Sequence, residues 1–233
     1  MCLAVLKPEG KSIPKAHIVN SWENGNSHGA GFAVAVKGTL IVDKGFSTVE
    51  ELWDAFARYN TGKYRAMVHL RFATHGPRGA DGCHPFLLPD GAALIHNGII
   101  PGSKAGEHDT ASYIRRVLSK LPATWYKSKV YCDLVGAHIG EHNKLVILDG
   151  GGRGSVINAK SGVRRDGIWY SNTSFEKPKP VDTWFRWKGS QGFLLGDSFE
   201  SKPMARAKGL HDMTDADWDE YMAAKRQTWS AES

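Results

Sequence analysis

Apolar residues in this chain come mostly in short runs bounded by glycine and polar residues, and only two stretches carry a clear helical period. Residues 2–6 are wholly apolar and predict a buried strand. Gly29-Ala30-Gly31 leads into Phe32-Ala33-Val34-Ala35-Val36, and Lys37-Gly38 then marks a turn before Thr39-Leu40-Ile41-Val42, the pattern of a β-hairpin. Further strands are expected at residues 66–72 and 92–96, at 145–148 and 154–157 around a glycine turn, and at 167–170. The first helical stretch follows Ser47 or Thr48, either of which can cap it with Glu50 or Glu51 three residues on. Leu52, Trp53 and Phe56 supply its apolar face. The second starts at Asp109, carries Tyr113, Ile114, Val117, Leu118 and Leu121, and stops at Pro122. Many strands with two marked helices between them predict an α+β class with extensive antiparallel pairing.

Lys177-Pro178-Lys179-Pro180 sets a boundary, because alternating prolines cannot pair in a central strand. The expected division is a main domain over 1–176 and an aromatic-rich extension over 177–233, packed on the domain or docking a partner subunit. A last helix is expected from Thr214, with Trp218, Tyr221, Met222 and Trp229 largely on one side. The length of 233 residues allows a real core without staples. Cys2, Cys83 and Cys132 are too few and odd in number for a disulfide framework, so reduced thiols are expected. The N-terminus lacks the apolar stretch of a signal peptide. No window approaches the roughly 20 apolar residues of a membrane helix. A soluble cytoplasmic protein with no membrane contact is the expectation.

The net charge of +6 raises the question of nucleic acid. Residues 1–176 hold 21 Lys and Arg against 15 Asp and Glu, whereas residues 177–233 hold 9 of each. The excess is spread through the main domain, with nothing longer than pairs such as Arg115-Arg116 and Arg164-Arg165. Diffuse charge describes a solvated surface rather than a nucleic-acid patch.

Four short segments carry candidate chemistry. Removal of Met1 exposes Cys2 with a free α-amine, which joins a thiol to a base titrating near about 7.7–8. Position 2 is also where an incidental small residue is often found. In His69-Leu70-Arg71-Phe72-Ala73-Thr74-His75-Gly76, the Arg71 fork suits a carboxylate or a surface ion pair, and Thr74 and His75 add polar groups. His96-Asn97-Gly98 ends an apolar strand. It reads either as a type I′ turn or as an oxyanion hole made by the Asn97 amide and the Gly98 N–H. Asp109, before Thr110, reads as a helix N-cap or as a partner for an ammonium group. Cys83-His84 with His75 matches no common zinc spacing, so no metal and no cofactor are expected; Cys132 reads as a core thiol.

Together these segments resemble the glutaminase domain of the class II, N-terminal-nucleophile glutamine amidotransferases, with the likeness nearest to glucosamine-6-phosphate synthase across residues 68–121. The matching pieces are residues 69–76, Cys83-His84-Pro85-Phe86, His96-Asn97-Gly98-Ile99-Ile100, Asp109-Thr110 and the glycine-rich hairpin from Gly29. The resemblance implies a four-layer αββα sandwich and hydrolysis of L-glutamine to glutamate and ammonia through a Cys2 thioester. It implies Asn97 and Gly98 at the oxyanion, Arg71 with Thr74 and His75 at the substrate carboxylate, and Asp109 at its ammonium. Phe72 stands where the synthase carries tryptophan. His84 suits packing and site support equally. The stretch between Gly98 and Asp109 is shorter than in the large enzymes, and the 57 residues after 176 are too few for a synthetase domain. The ammonia is therefore expected to pass to a separate acceptor enzyme. Two rival readings remain: another N-terminal-nucleophile amidohydrolase acting on a γ-glutamyl or amide compound, and a non-catalytic glutamine-binding module.

Overall fold

Ten strands and four α-helices make up the described residues, 1–72, 82–102 and 106–177, of a computed structural model. In chain order they are β1 (Leu3–Lys7), α1 (Lys15–Glu23), β2 (Ala30–Val36), β3 (Thr39–Phe46), α2 (Val49–Ala57), β4 (Ala66–Leu70), β5 (Phe86–Leu87), β6 (Ala93–Asn97), α3 (Asp109–Arg116), α4 (Lys129–Ile139), β7 (Lys144–Leu148), β8 (Gly154–Ile157), β9 (Val163–Arg165) and β10 (Ile168–Tyr170). One sheet runs β3-β2-β4-β1-β10-β9 and the other β5-β6-β7-β8, and every pairing is antiparallel.

Strand alternation builds four layers. In the larger sheet, Leu3, Val5, Phe32, Val34, Ala66, Val68 and Leu70 face a cluster with Ile18, Leu52 and Phe56 of α1 and α2. Their neighbours Ala4, Ala33, Ala35 and Met67 point the other way and meet Ala93, Ile95, Val146 and Leu148 of the smaller sheet. The smaller sheet turns Leu94, Leu145 and Ile147 towards Tyr113, Ile114, Val135 and Ile139 of α3 and α4. The order is helix, sheet, sheet, helix: an α+β αββα sandwich, with the central strands of each sheet buried on both faces.

Several elements form for legible local reasons. The β2–β3 hairpin turns at Lys37 (φ 49°) and Gly38 (φ 85°), the paired positive angles that fit strand twist. At α2, Thr48 Oγ1 accepts from the Glu51 amide at 3.2 Å, and Glu51 Oε2 accepts from the Thr48 amide at 3.2 Å, completing a capping box. Gly31 permits a close crossing, since a Cβ there would lie 2.2 Å from the His84 carbonyl oxygen.

The structure corrects four expectations. Helices α1 and α4 are additional to the two that the periodicity predicts. The first buries only Ile18 and Ser21. The second is apolar on both sides, with Val130 and Leu134 exposed while Val135 and Ile139 are buried, so neither leaves a clean stripe. Helix α3 ends at Arg116 rather than Leu121, and a 3-10 turn at Leu118–Lys120 carries the apolar pattern on. Its N-cap is His108, which puts Asp109 at the first helical position. Asn97 closes strand β6 and has no positive φ, while Gly98 has φ 143°, so His96-Asn97-Gly98 is no type I′ turn. The helix from Thr214, the extension's aromatic residues, Thr74 and His75 lie outside the described residues.

Candidate active site

Alternation also gathers the candidate residues. Cys2 shares the parity of Ala4 and Leu6, His69 and Arg71 that of Met67, and Asn97 that of Ala93 and Ile95, so all lie at one end of the layer between the sheets. The β1–β4 ladder begins at Leu3 opposite Leu70, which leaves Cys2 one residue outside it.

The Cys2 thiol is bracketed by the backbone of Phe72. The Phe72 amide donates to Sγ at 3.2 Å, and the thiol donates to the Phe72 carbonyl at 3.4 Å. Burial raises the thiol pKa, while the Phe72 hydrogen bond, the terminal ammonium and Arg71 pull the other way. Arg71 is itself buried, with its backbone tied to Gly29 and His28 at 2.8 and 2.9 Å. Beside it, the Phe72 ring stacks on His28 with centroids 5.5 Å apart.

Asn97 is fully engaged. Its Nδ2 donates to the Cys2 carbonyl at 2.7 Å and to Ser171 Oγ at 2.6 Å. A backbone carbonyl can only accept, so the atom facing it must be the amide nitrogen, and the orientation of Asn97 is settled. With both hydrogens committed, Asn97 can serve an oxyanion only by releasing one of them. Gly98 has no room for a side chain: a Cβ would sit 2.1 Å from Asn143 Oδ1. Asn143 is thus the floor of this turn, held by Nδ2 donating to the Ile139 carbonyl at 2.6 Å.

Asp109 faces the same loop. Its Oδ2 accepts from the Ile100 amide at 3.0 Å and its Oδ1 from the Thr110 amide at 2.7 Å, so it ties residue 100 to the start of α3. His108 Nδ1 lies 3.3 Å from Oδ1, and His96 Nδ1 lies 3.8 Å from Oδ2.

Behind the site, a hydrogen bond to a side chain of settled orientation sets the His96 tautomer. Since the Asn143 amide nitrogen is committed to Ile139, its Oδ1, 2.9 Å from His96 Nε2, requires a hydrogen on that nitrogen. In a neutral ring His96 Nδ1 must then accept, and it lies 2.9 Å from Thr110 Oγ1. That hydroxyl also lies 3.2 Å from His84 Nε2 and 3.2 Å from Asp109 Oδ1. Desolvation keeps these rings neutral: His69 is pushed down to about 3, His84 well below the usual range, and His96 lowered despite Asp109 nearby. Among the described residues, no group of three His, Cys, Asp or Glu side chains is arranged to hold a metal ion. No helix among them is long and apolar enough to cross a membrane.

Cys2, Phe72, Arg71, Asn97, Gly98, Asp109 and His84 therefore lie around one end of the inter-sheet layer. Asn143, Ser171 and Asn172 were not legible as site residues. Asn172 Nδ2 donates to the Cys2 carbonyl at 2.7 Å across 170 positions of chain, a separation that no local motif announces.

No family model matches the chain. Over 72 residues it is 39% identical to a glutamine–fructose-6-phosphate aminotransferase (isomerizing) of Chlamydia trachomatis, covering 30% of this chain and 12% of the relative. The corresponding protein of Chlamydia caviae is 36% identical over 76 residues, or 32% of this chain and 12% of that one. The chain thus spans about an eighth of the length of these curated relatives. A solved structure of glutamine phosphoribosylpyrophosphate amidotransferase from B. subtilis, with ADP and GMP, aligns with 73% of this chain and 41% of its own, at 16% identity and a TM-score of 0.44. By sequence, then, the chain bears a local similarity to the class II glutamine amidotransferases, the group its motifs resemble.

Proposed function

We propose that this chain is a glutamine amidotransferase domain that hydrolyses L-glutamine, using Cys2 as nucleophile once Met1 has been removed. The observation that carries the reading is the convergence on Cys2: its thiol lies between the Phe72 N–H and C=O, beside Arg71, and its carbonyl is held by Asn97. The sequence similarity to the aminotransferases supports the same choice.

In this mechanism the new α-amine of Cys2 accepts the thiol proton, and Sγ forms a bond to the side-chain carbonyl carbon of glutamine. The carbonyl oxygen takes the negative charge, stabilised by the Gly98 N–H and the Asn97 amide, each such donor being worth about 2.7–4 kcal/mol. Collapse breaks the C–N bond, the leaving nitrogen takes the proton from the amine, and ammonia departs. Water then adds to the thioester, and glutamate leaves as the thiol is restored. Burial lowers the amine of Met1, and comparable burial of the Cys2 amine after processing would favour the neutral base. Arg71 pairs with the substrate carboxylate, helped by Thr74 and His75, and Asp109 takes its ammonium. The buried Arg71 and the Asp109 carboxylate beside the residue 98–100 loop support this two-ended grip over the rival amidohydrolase reading.

The ammonia is passed to a separate acceptor enzyme in the cytoplasm, with residues 1–176 as the catalytic unit and 177–233 as an extension to it. The test is direct. Purified protein should show Cys2 as its first residue by intact mass, release glutamate from glutamine, and be labelled at Cys2 by 6-diazo-5-oxonorleucine. Cys2→Ala should abolish turnover with its thermal midpoint unchanged. An unreactive Cys2 would leave the binding-module reading standing instead.

A further inference from the structure

Removal of Met1 turns Cys2 into a chain terminus, and termini fray unless they are tied down. The β-ladder gives no help, because its first pair is Leu3 with Leu70. Besides the contacts of the thiol itself, Cys2 is held through its carbonyl, which accepts from Asn97 and from Asn172, each at 2.7 Å. The two donors are not equivalent. Asn97 must release one partner to meet a developing oxyanion, whereas Asn172 has no such second task.

Asn172 is also preset. Its Oδ1 accepts from the Ser174 amide at 3.0 Å, which aims Nδ2 at Cys2 before any substrate arrives. The segment carrying it is bolted to α1 and its C-terminal end: the Asn20 side chain donates to the Phe175 carbonyl at 3.1 Å, and the Asn24 side chain to the Ser174 carbonyl at 2.7 Å. Phe175 is buried and stacks on Tyr170 with centroids 4.0 Å apart. One residue earlier, Ser171 fixes the adjoining strand, its amide donating to the Ala4 carbonyl at 2.8 Å and its Oγ accepting from the Ala4 amide at 2.9 Å. The same Oγ accepts from Asn97.

We infer that Asn172 is the standing anchor of the nucleophile, a positioning residue that holds the Cys2 carbonyl while Asn97 turns to the oxyanion, with Ser171 as the resting partner of Asn97. This rests on the glutaminase reading for its catalytic consequence but not for its structural one. Misplacing a nucleophile by about 1 Å can cost on the order of 100-fold in rate. In Asn172→Ala, kcat for glutamine should therefore fall about 10- to 100-fold while KM stays within about twofold, since Arg71 and Asp109 are untouched. Asn172→Asp keeps the shape and the bond from Ser174 but replaces the donor with an acceptor that repels the carbonyl, so it should fall at least as far.

The decisive companion measurement is alkylation of Cys2 by iodoacetamide, read by intact mass on the full chain. Loosening the terminus exposes the thiol, so alkylation should quicken several-fold in both variants as turnover drops. Wild-type protein that makes no glutamate would end the glutaminase reading and still leave the anchor to be judged by alkylation. An alkylation rate equal to wild type in Asn172→Asp, or a loss of the fold in both variants, would overturn the anchor.

Discussion

Arg71 and Gly98 do different work at one end of the same layer, and each supports its own prediction. A guanidinium meets a carboxylate with two parallel hydrogen bonds, while an ammonium offers a point charge. Arg71→Lys should therefore raise KM for glutamine roughly 10- to 100-fold, the equivalent of one charged hydrogen bond of about 1.5–3 kcal/mol, with kcat little changed. Steady-state kinetics on glutamate release decide it, and an unaltered KM removes Arg71 from the carboxylate. Gly98 is constrained twice, by its φ of 143° and by Asn143 Oδ1 lying 2.1 Å from any Cβ. Gly98→Ala should shift the turn proposed to present the oxyanion donors, so kcat should fall about 100- to 1,000-fold, and the strained φ and the clash with Asn143 should also lower the thermal midpoint. Full activity in that variant would place the oxyanion elsewhere.

At the scale of elements, what the sequence reveals depends on whether the physics is local. The α2 capping box needs only residues three apart, and Thr48 and Glu51 form it as the pattern predicts. Thr48→Ala should accordingly cost about 1 kcal/mol, read as a lower urea midpoint at an unchanged slope. The hairpin turn at Lys37-Gly38 was legible for the same reason. Helix α4 was not, because its exposed face carries Val130 and Leu134 where a solvent face is normally polar. Its Gly136 belongs to packing: a Cβ there would meet Asn158 Oδ1 at 2.9 Å and Ile157 at 3.3 Å on the neighbouring strand segment. Lys7 shows the same limit. It continues an apolar strand, yet it is fully buried, and its ammonium donates to the carbonyls of Lys11 and Thr61 at 2.9 and 2.7 Å and to that of Tyr64. Segments such as residues 69–72 and 96–98 announce themselves by composition. Ser171 and Asn172 acquire their task only when β10 is laid against β1, and nothing in a one-dimensional reading carries that.

For the whole molecule, three buried imidazoles behind the site make stability depend on pH in a defined direction. His69, His84 and His96 are 3% exposed or less, and burial is the leading cause of the lowered pKa of each. In the unfolded chain a histidine titrates near 6.5. As pH falls below that value, the unfolded state takes up protons that the folded state refuses, so stability drops with acidity; for His69 this continues towards a pH of about 3. Each ring contributes a slope of up to about 1.4 kcal/mol per pH unit, and above pH 7 all three contribute almost nothing. At His96 the nearby Asp109 opposes the shift that burial causes. Between pH 6.5 and 5 most carboxylates remain ionised, which isolates the histidine effect. Urea unfolding across that window should show a steep loss of stability on acidification, and His69→Gln should reduce the slope whatever it does to the stability at pH 7.5. A slope identical to wild type in that variant would mean that His69 takes up its proton within the folded protein, and that the space between the sheets admits charge.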